Sequence, residues 1–262
     1  MDDAKSKKFP DFSDFNFHDD ILENSVLFHD ILPVVLLLDC SGSMSTTDST
    51  ERVSRIEIMK RCLKNFVNTT VISNIDKERI DLCVIAFDSN VTIVKGFTSM
   101  SEIGDDFSTL RASGSTSLYS ALIIGVQLAR RRRNEIMNAG VGCFKPILFL
   151  ITGSAPTDKS SKEECQKILK HCVNNVYGKA KMHLVICGME QCNMNEMNNL
   201  CAEKTLIALR SADALEEAFK LLTSAVVSYW AVHTSDEWCV EFDHLKNLGV
   251  IKNTSRRLNL GY

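Results

Sequence analysis

From residue 33 onward, short apolar runs alternate with longer stretches whose apolar positions repeat every three to four residues. Pro33-Val34-Val35-Leu36-Leu37-Leu38 is unbroken apolar sequence and predicts a strand buried on both faces. Residues 54–72 then place Ile56, Met59, Leu63, Phe66 and Val67 on one helical face. Residues 79–87 and 91–97 read as strands joined by the turn residues Asp88-Ser89-Asn90, which predicts a hairpin. Further helices are predicted over 118–137, 162–176 (with Gly178 as a stop signal), 194–202 and 214–228. Further strands are predicted over 145–152, 183–187 and 205–209. This alternation argues for an α/β fold: an open, mostly parallel sheet with one antiparallel edge hairpin strand and helices on both faces. Such sheets bind ligands beyond the C-terminal ends of their strands, where the strand order reverses.

Asp39-Cys40-Ser41-Gly42-Ser43-Met44 follows the first strand directly. A carboxylate at the strand end and two hydroxyls at alternate positions point toward one place. Oxygen-only donors of this kind suit a hard divalent cation such as Mg2+. The Asp-x-Ser-x-Ser pattern resembles the metal-ion-dependent adhesion site (MIDAS) of von Willebrand factor A (vWA) domains, a Rossmann-like α/β fold. The resemblance implies a second loop, matched by Ser113-Gly114-Ser115-Thr116-Ser117-Leu118, in which Thr116 stands at the metal-binding threonine. It also implies a third loop of the form Thr-Asp-Gly-x-Pro-Thr-Asp. This chain reads Thr152-Gly153-Ser154-Ala155-Pro156-Thr157-Asp158, with Gly153 in place of the aspartate and Ser154 in place of the glycine. The matches cover most of residues 33–230. The stretches Leu32-Pro33-Val34-Val35-Leu36-Leu37-Leu38-Asp39, Val84-Ile85-Ala86-Phe87-Asp88-Ser89 and Lys145-Pro146-Ile147-Leu148-Phe149-Leu150 are similar to the TerY-like group of bacterial vWA proteins, associated with tellurium resistance and stress. That likeness implies a cytoplasmic protein-binding module with phosphatase or kinase partners.

The missing aspartate has a physical consequence. A carboxylate about 5 Å from a divalent ion contributes roughly 6–7 kcal/mol of attraction at an effective dielectric of 20. Desolvation and replacement waters offset much of this, so its loss lowers affinity by roughly 10². Two readings stand at this point. Asp39, Ser41, Ser43 and Thr116 hold a weakly bound Mg2+ whose residual charge takes an acidic side chain from a partner. Alternatively, the same residues only organise their loops, Asp39 capping the following amides. Asp158 and Asp88 are the candidate substitutes for the lost carboxylate.

Composition narrows the function classes. The net charge of −3 gives no global pull toward nucleic acid or anionic membrane. No apolar run is long enough to span a bilayer. The start, Met1-Asp2-Asp3-Ala4-Lys5, lacks the layout of an export signal, so the ten cysteines are expected to be reduced thiols in the cytoplasm. Their spacing matches no paired zinc pattern, and Cys40 is expected to point into the core. Arg130-Arg131-Arg132-Arg133 is read as a solvated helix end, and His183 as a core residue. No nucleophile elbow, Walker loop or dinucleotide fingerprint is present, so no catalytic residue is named and a non-enzyme is expected. The rivals are a divergent metal-dependent hydrolase using the same loop and a metal-independent structural subunit. Residues 1–30 are read as an acidic arm studded with Phe9, Phe12, Phe15, Phe17 and Phe28, residues 31–230 as the domain that resembles a vWA domain, and residues 231–262 as a C-terminal extension.

Overall fold

The computed structural model describes residues 30–173, 182–189, 192–200 and 206–231. The aromatic arm, the C-terminal extension and the helix end expected at residues 174–178 therefore lie outside the described residues. The described chain forms β1 (Leu32–Asp39), α1 (Arg55–Val67), α2 (Asn74–Glu78), β2 (Ile80–Phe87), β3 (Val91–Ser99) and α3 (Leu118–Asn138). It continues with β4 (Ile147–Thr152), α4 (Lys162–Cys172), β5 (His183–Met189), α5 (Met194–Asn198), β6 (Leu206–Leu209) and α6 (Ala214–Ala231).

The strands make one sheet in the order β3-β2-β1-β4-β5-β6. All neighbours are parallel except β2 and β3, which form the expected antiparallel hairpin. The order reverses between β1 and β4, whose registers place Leu38 opposite Ile151. The C-terminal ends of these two strands therefore open side by side at the switch point.

Alternation along β1 divides the core in two. Leu32, Val34, Leu36 and Leu38 face one cluster with residues of α1 and α6, while Val35 and Leu37 face a second with residues of α3 and α4. The predicted face of α1 is buried throughout, and Phe66 meets Phe219 of α6 with ring centroids 6.1 Å apart. Among the described residues no helix is long and apolar enough to cross a membrane.

Two expectations are corrected. α1 stops at Val67 and not at residue 72, because the run Thr69-Thr70-Val71-Ile72 is β-branched and favours leaving the helix. The short α2 that follows is capped by Ser73, whose hydroxyl accepts from the amide of Asp76 at 3.1 Å. The arginine run is not simply solvated: Arg132 is half-buried and pairs with the buried carboxylate of Asp81. His183 is half-buried in β5, where burial pulls its imidazole down to about 4.

Candidate functional site at the strand ends

Asp39 ends β1 and is fully buried. One of its oxygens accepts the Ser41 amide at 2.7 Å. The other accepts the Gly153 amide at 2.8 Å and the Thr152 hydroxyl at 2.9 Å, both at the end of β4. Burial pushes this carboxyl above the ordinary carboxylate range, and the hydrogen bonds from Ser41, Gly153 and Thr152 oppose the rise. Asp39 thus fastens the loop after β1 to the loop after β4.

A 3-10 turn over Gly42–Ser45 follows. Ser41 precedes it without using its side chain as a cap, so the hydroxyl is left to face the cluster. Ser41 Oγ lies 3.1 Å from Ser43 Oγ and 3.3 Å from Ser154 Oγ. Thr116 Oγ1, from the loop before α3, lies 2.7 Å from Ser154 Oγ. The four expected residues, Asp39, Ser41, Ser43 and Thr116, are therefore brought to one place. Three loops contribute to it. Cys40 is buried in the core as its neighbours' direction requires, and burial pushes its thiol up to about 12.

Several participants carry no strong signal in the sequence. Thr152 anchors Asp39, and Ser154 joins the first and second loops. Thr157 supports Thr116: its hydroxyl accepts the Thr116 amide at 3.0 Å, and its own amide donates to the Thr116 carbonyl at 2.9 Å. The alternation Thr152-x-Ser154 after a buried strand repeats the logic of Ser41-x-Ser43, and is the signal that could have found them. Neither substitute carboxylate serves the cluster. Asp158 caps α3 by accepting the amides of Tyr119 and Ser120 at 3.3 and 2.8 Å, and Asp88 accepts from the Asn90 amide and the Ser113 hydroxyl at 2.8 and 3.2 Å.

Gly153 has a definite surrounding. A Cβ there would lie 2.7 Å from Met44 Sδ, 3.0 Å from Ser43 Oγ and 3.7 Å from Arg55 Nη1. Met44 is fully buried, so its thioether fills the space a side chain at 153 would take. The buried Arg55 pairs with Asp48 through Nε and Nη2, while its Nη1 has no hydrogen-bond partner among the described residues.

As a donor set, one carboxylate and the hydroxyls of Ser41, Ser43 and Thr116 fit a hard cation in kind and supply a single negative charge. Among the described residues no three His, Cys, Asp or Glu side chains gather as an alternative metal site. The exposed rim carries Ser45, Thr47, Ser89, Ser113, Ser115 and Thr157. Beside it, Glu196 accepts from the Tyr119 hydroxyl and from Lys159 and Lys162 at 3.0 and 2.9 Å.

Residues 34–154 match the family profile described as von Willebrand factor type A domain. No curated protein matches the chain in sequence. The fold is similar to a von Willebrand factor type A protein from Catenulispora acidiphila (14% identity, TM-score 0.55, covering 75% of this chain and 42% of that one). It is similar to the pilus adhesin SpaC from Lactobacillus rhamnosus GG (15% identity, TM-score 0.58, 77% and 31%). It is also similar to proximal thread matrix protein 1 of the mussel byssus, solved with a zinc-occupied MIDAS motif (17% identity, TM-score 0.50, 76% and 48%). The chain spans less than half the length of each of these proteins. At these identities the likeness shows the fold, a Rossmann-like α/β architecture, and the similarity to the von Willebrand factor type A profile extends over residues 34–154.

Proposed function

We propose that this vWA domain is a non-catalytic protein-binding module that docks its partner on the strand-end face, with an acidic side chain of the partner meeting the hydroxyl cluster above Asp39. The observation that carries the reading is the convergence of Ser41, Ser43 and Thr116 from two loops onto the switch point, tied together by Ser154. The cluster gathers oxygen donors over a buried carboxylate, with Ser41 and Thr116 buried and Ser43 and Ser154 half-buried at its mouth. Asp39, Ser41, Ser43 and Thr116 would hold the cation, and Mg2+ suits their hardness. When bound, the ion supplies a positive charge that a partner carboxylate completes. With one protein carboxylate beneath it, that charge is only partly neutralised, which favours an anionic partner group. The mussel protein's zinc-occupied site and the adhesin among the structural neighbours support a binding role and a cation at this face.

The finer reading, a cytoplasmic TerY-like adaptor in a bacterial stress or tellurium-resistance-like system with a phosphatase or kinase partner, is supported by the sequence likeness of the first, second and fourth strands.

Site-specific photo-crosslinking tests the docking face. Crosslinkers at the exposed Ser115 and Thr157 should capture partner protein in cells, and one at Glu78, at the opposite end of β2, should not. Mg2+ chelation should weaken capture at the first two positions. Capture confined to position 78 would remove the strand-end face as the binding surface.

A further inference from the structure

The third loop of the cluster has no side chain at 153, and the room for one is filled. Met44 Sδ would stand 2.7 Å from the added Cβ, inside any ordinary contact, and the buried Arg55 guanidinium lies just behind. The first side chain of this loop that reaches the cluster is Ser154. Its half-buried hydroxyl lies 2.7 Å from Thr116 Oγ1 and 3.3 Å from Ser41 Oγ, and Ser41 Oγ lies 3.1 Å from Ser43 Oγ. Four hydroxyl oxygens thus run in sequence, Ser43, Ser41, Ser154, Thr116. Mg2+ binds oxygens at about 2.0–2.1 Å in near-octahedral geometry, so neighbouring ligands stand about 2.9 Å apart. The three separations here bracket that edge length. Hydroxyls without a cation also hydrogen-bond at such distances, so the spacing alone does not distinguish the two uses, and the position of Ser154 between the other loops' donors is what singles it out.

We propose that Ser154 supplies the third-loop ligand to the cation held by Asp39, Ser41, Ser43 and Thr116, in place of the carboxylate that position 153 lacks. The proposal rests on the cation reading above and deepens it. A neutral hydroxyl replaces an anionic donor, so the site keeps its connection to all three loops while losing one negative charge. The Ser154 backbone is braced where a ligand must be held still. Its carbonyl lies 3.1 Å from the Thr152 hydroxyl, whose one hydrogen is shared with Asp39 at 2.9 Å. The bound ion in such a site carries more residual charge than one between two carboxylates. The partner group it selects is accordingly a carboxylate.

The test uses the full chain and two probes. Mn2+ binding is followed by electron paramagnetic resonance for the natural protein and Ser154→Ala, with circular dichroism and thermal melting confirming the fold. Ser154→Ala is expected to bind Mn2+ at least about tenfold more weakly. A structural role alone would leave the second probe unmoved: Ser154→Cys is expected to gain a Cd2+ site with a thiolate charge-transfer band, whereas Ser115→Cys, exposed and bonded to Ser89 outside the cluster, gains none. Measurable Mn2+ binding of equal affinity in the natural protein and Ser154→Ala overturns the proposal, as does a Cd2+ band no stronger in Ser154→Cys than in Ser115→Cys. If the natural protein binds no Mn2+ while Ser154→Cys gains the Cd2+ site, the ligand position stands and the Mg2+ reading of the natural protein fails.

Discussion

Gly153→Asp completes the family's pair of carboxylates, and the structure assigns its outcome to Arg55. The new Cβ requires the fully buried Met44 thioether, 2.7 Å away, to move. Overpacking of this kind costs about 1–3 kcal/mol. The new carboxylate would be buried, which costs several kcal/mol without a partner. A partner is in place, because Arg55 Nη1 lies 3.7 Å from the Cβ and has no hydrogen bond among the described residues. A carboxylate and a guanidinium about 4 Å apart attract by about 4 kcal/mol at an effective dielectric of 20. Satisfying the orphaned donor adds about 1–3 kcal/mol. The gains and losses nearly cancel, so Gly153→Asp should change stability by no more than about 2 kcal/mol. In an Arg55→Gln background the attraction is gone and the same substitution should cost about 4 kcal/mol or more. Urea unfolding of the four proteins at neutral pH, in chelator, measures the coupling, expected at about 2–4 kcal/mol. A coupling below about 0.5 kcal/mol, the scatter of independent sites, would refute the pairing. The result also bears on metal binding. A carboxylate at 153 shared with Arg55 is only partly available to a cation, so Gly153→Asp alone should restore less than the roughly 10²-fold expected of a free carboxylate.

Two further outcomes follow from the neighbouring loops. The Tyr119 hydroxyl first, then Lys162 and Lys159, pull the Glu196 carboxyl down to about 2 from an ordinary 4.5. A folded value below the unfolded one gives stability that is complete above about pH 4.5 and lost as pH falls through 2. Glu196→Gln should therefore cost about 1–2 kcal/mol at pH 6, after allowance for the exposure of both lysines, and almost nothing at pH 2 in urea titrations; a cost that does not vary with pH would rule out the charge argument. Gly114 sits at φ +67°, and a Cβ there would lie 2.4 Å from Ser89 Oγ. Gly114→Ala should cost about 1–2 kcal/mol and speed hydrogen exchange at the Ser115 and Thr116 amides, and unchanged exchange would show that the turn does not set the position of Thr116.

What was legible in the sequence divides along the range of the interactions involved. Strand β1 was legible because an apolar run leads unbroken into Asp39, and α1 because Ile56, Met59, Leu63 and Phe66 repeat at helical spacing. The donors of the first two loops were legible because their spacing is local: Ser41 and Ser43 alternate after one strand, and Thr116 follows one glycine turn. Ser154 was visible only as a departure from a pattern, since its partners Ser41 and Thr116 are 113 and 38 residues away. Arg55 gave no signal at all. Its relation to position 153 exists only once β1 and β4 are adjacent and Met44 has turned under the loop. Arg132 misled for the same reason: its helix position says solvent, but its carboxylate partner, Asp81, belongs to β2 and is 51 residues away.

Under the proposed function, the cluster also bears on how one face would serve a partner with a single carboxylate beneath its cation. Backbone bonds tie the three loops to one another. Gly42 donates to the Gly114 carbonyl at 3.1 Å, Ser113 to the Cys40 carbonyl at 2.8 Å and Thr157 to the Thr116 carbonyl at 2.9 Å, so backbone bonds join the three loops beneath the hydroxyls. Asp39 adds buried bonds to two of them. With the loops joined in this way, the contribution of the proposed cation to docking would be charge. Shape complementarity to a partner then belongs to the backbone frame, and the cation adds attraction for an acidic group on top of it. Asp48 pairs with Arg55, and Asp39 is the carboxyl group directly beneath the hydroxyls. A partner carboxylate approaching without a cation meets the charge of Asp39 unopposed except by hydroxyl donors, and one approaching with a cation meets a net attraction. Under the proposed function, a bound cation would thus turn the charge that a partner's acidic group meets at the cluster from repulsive to attractive.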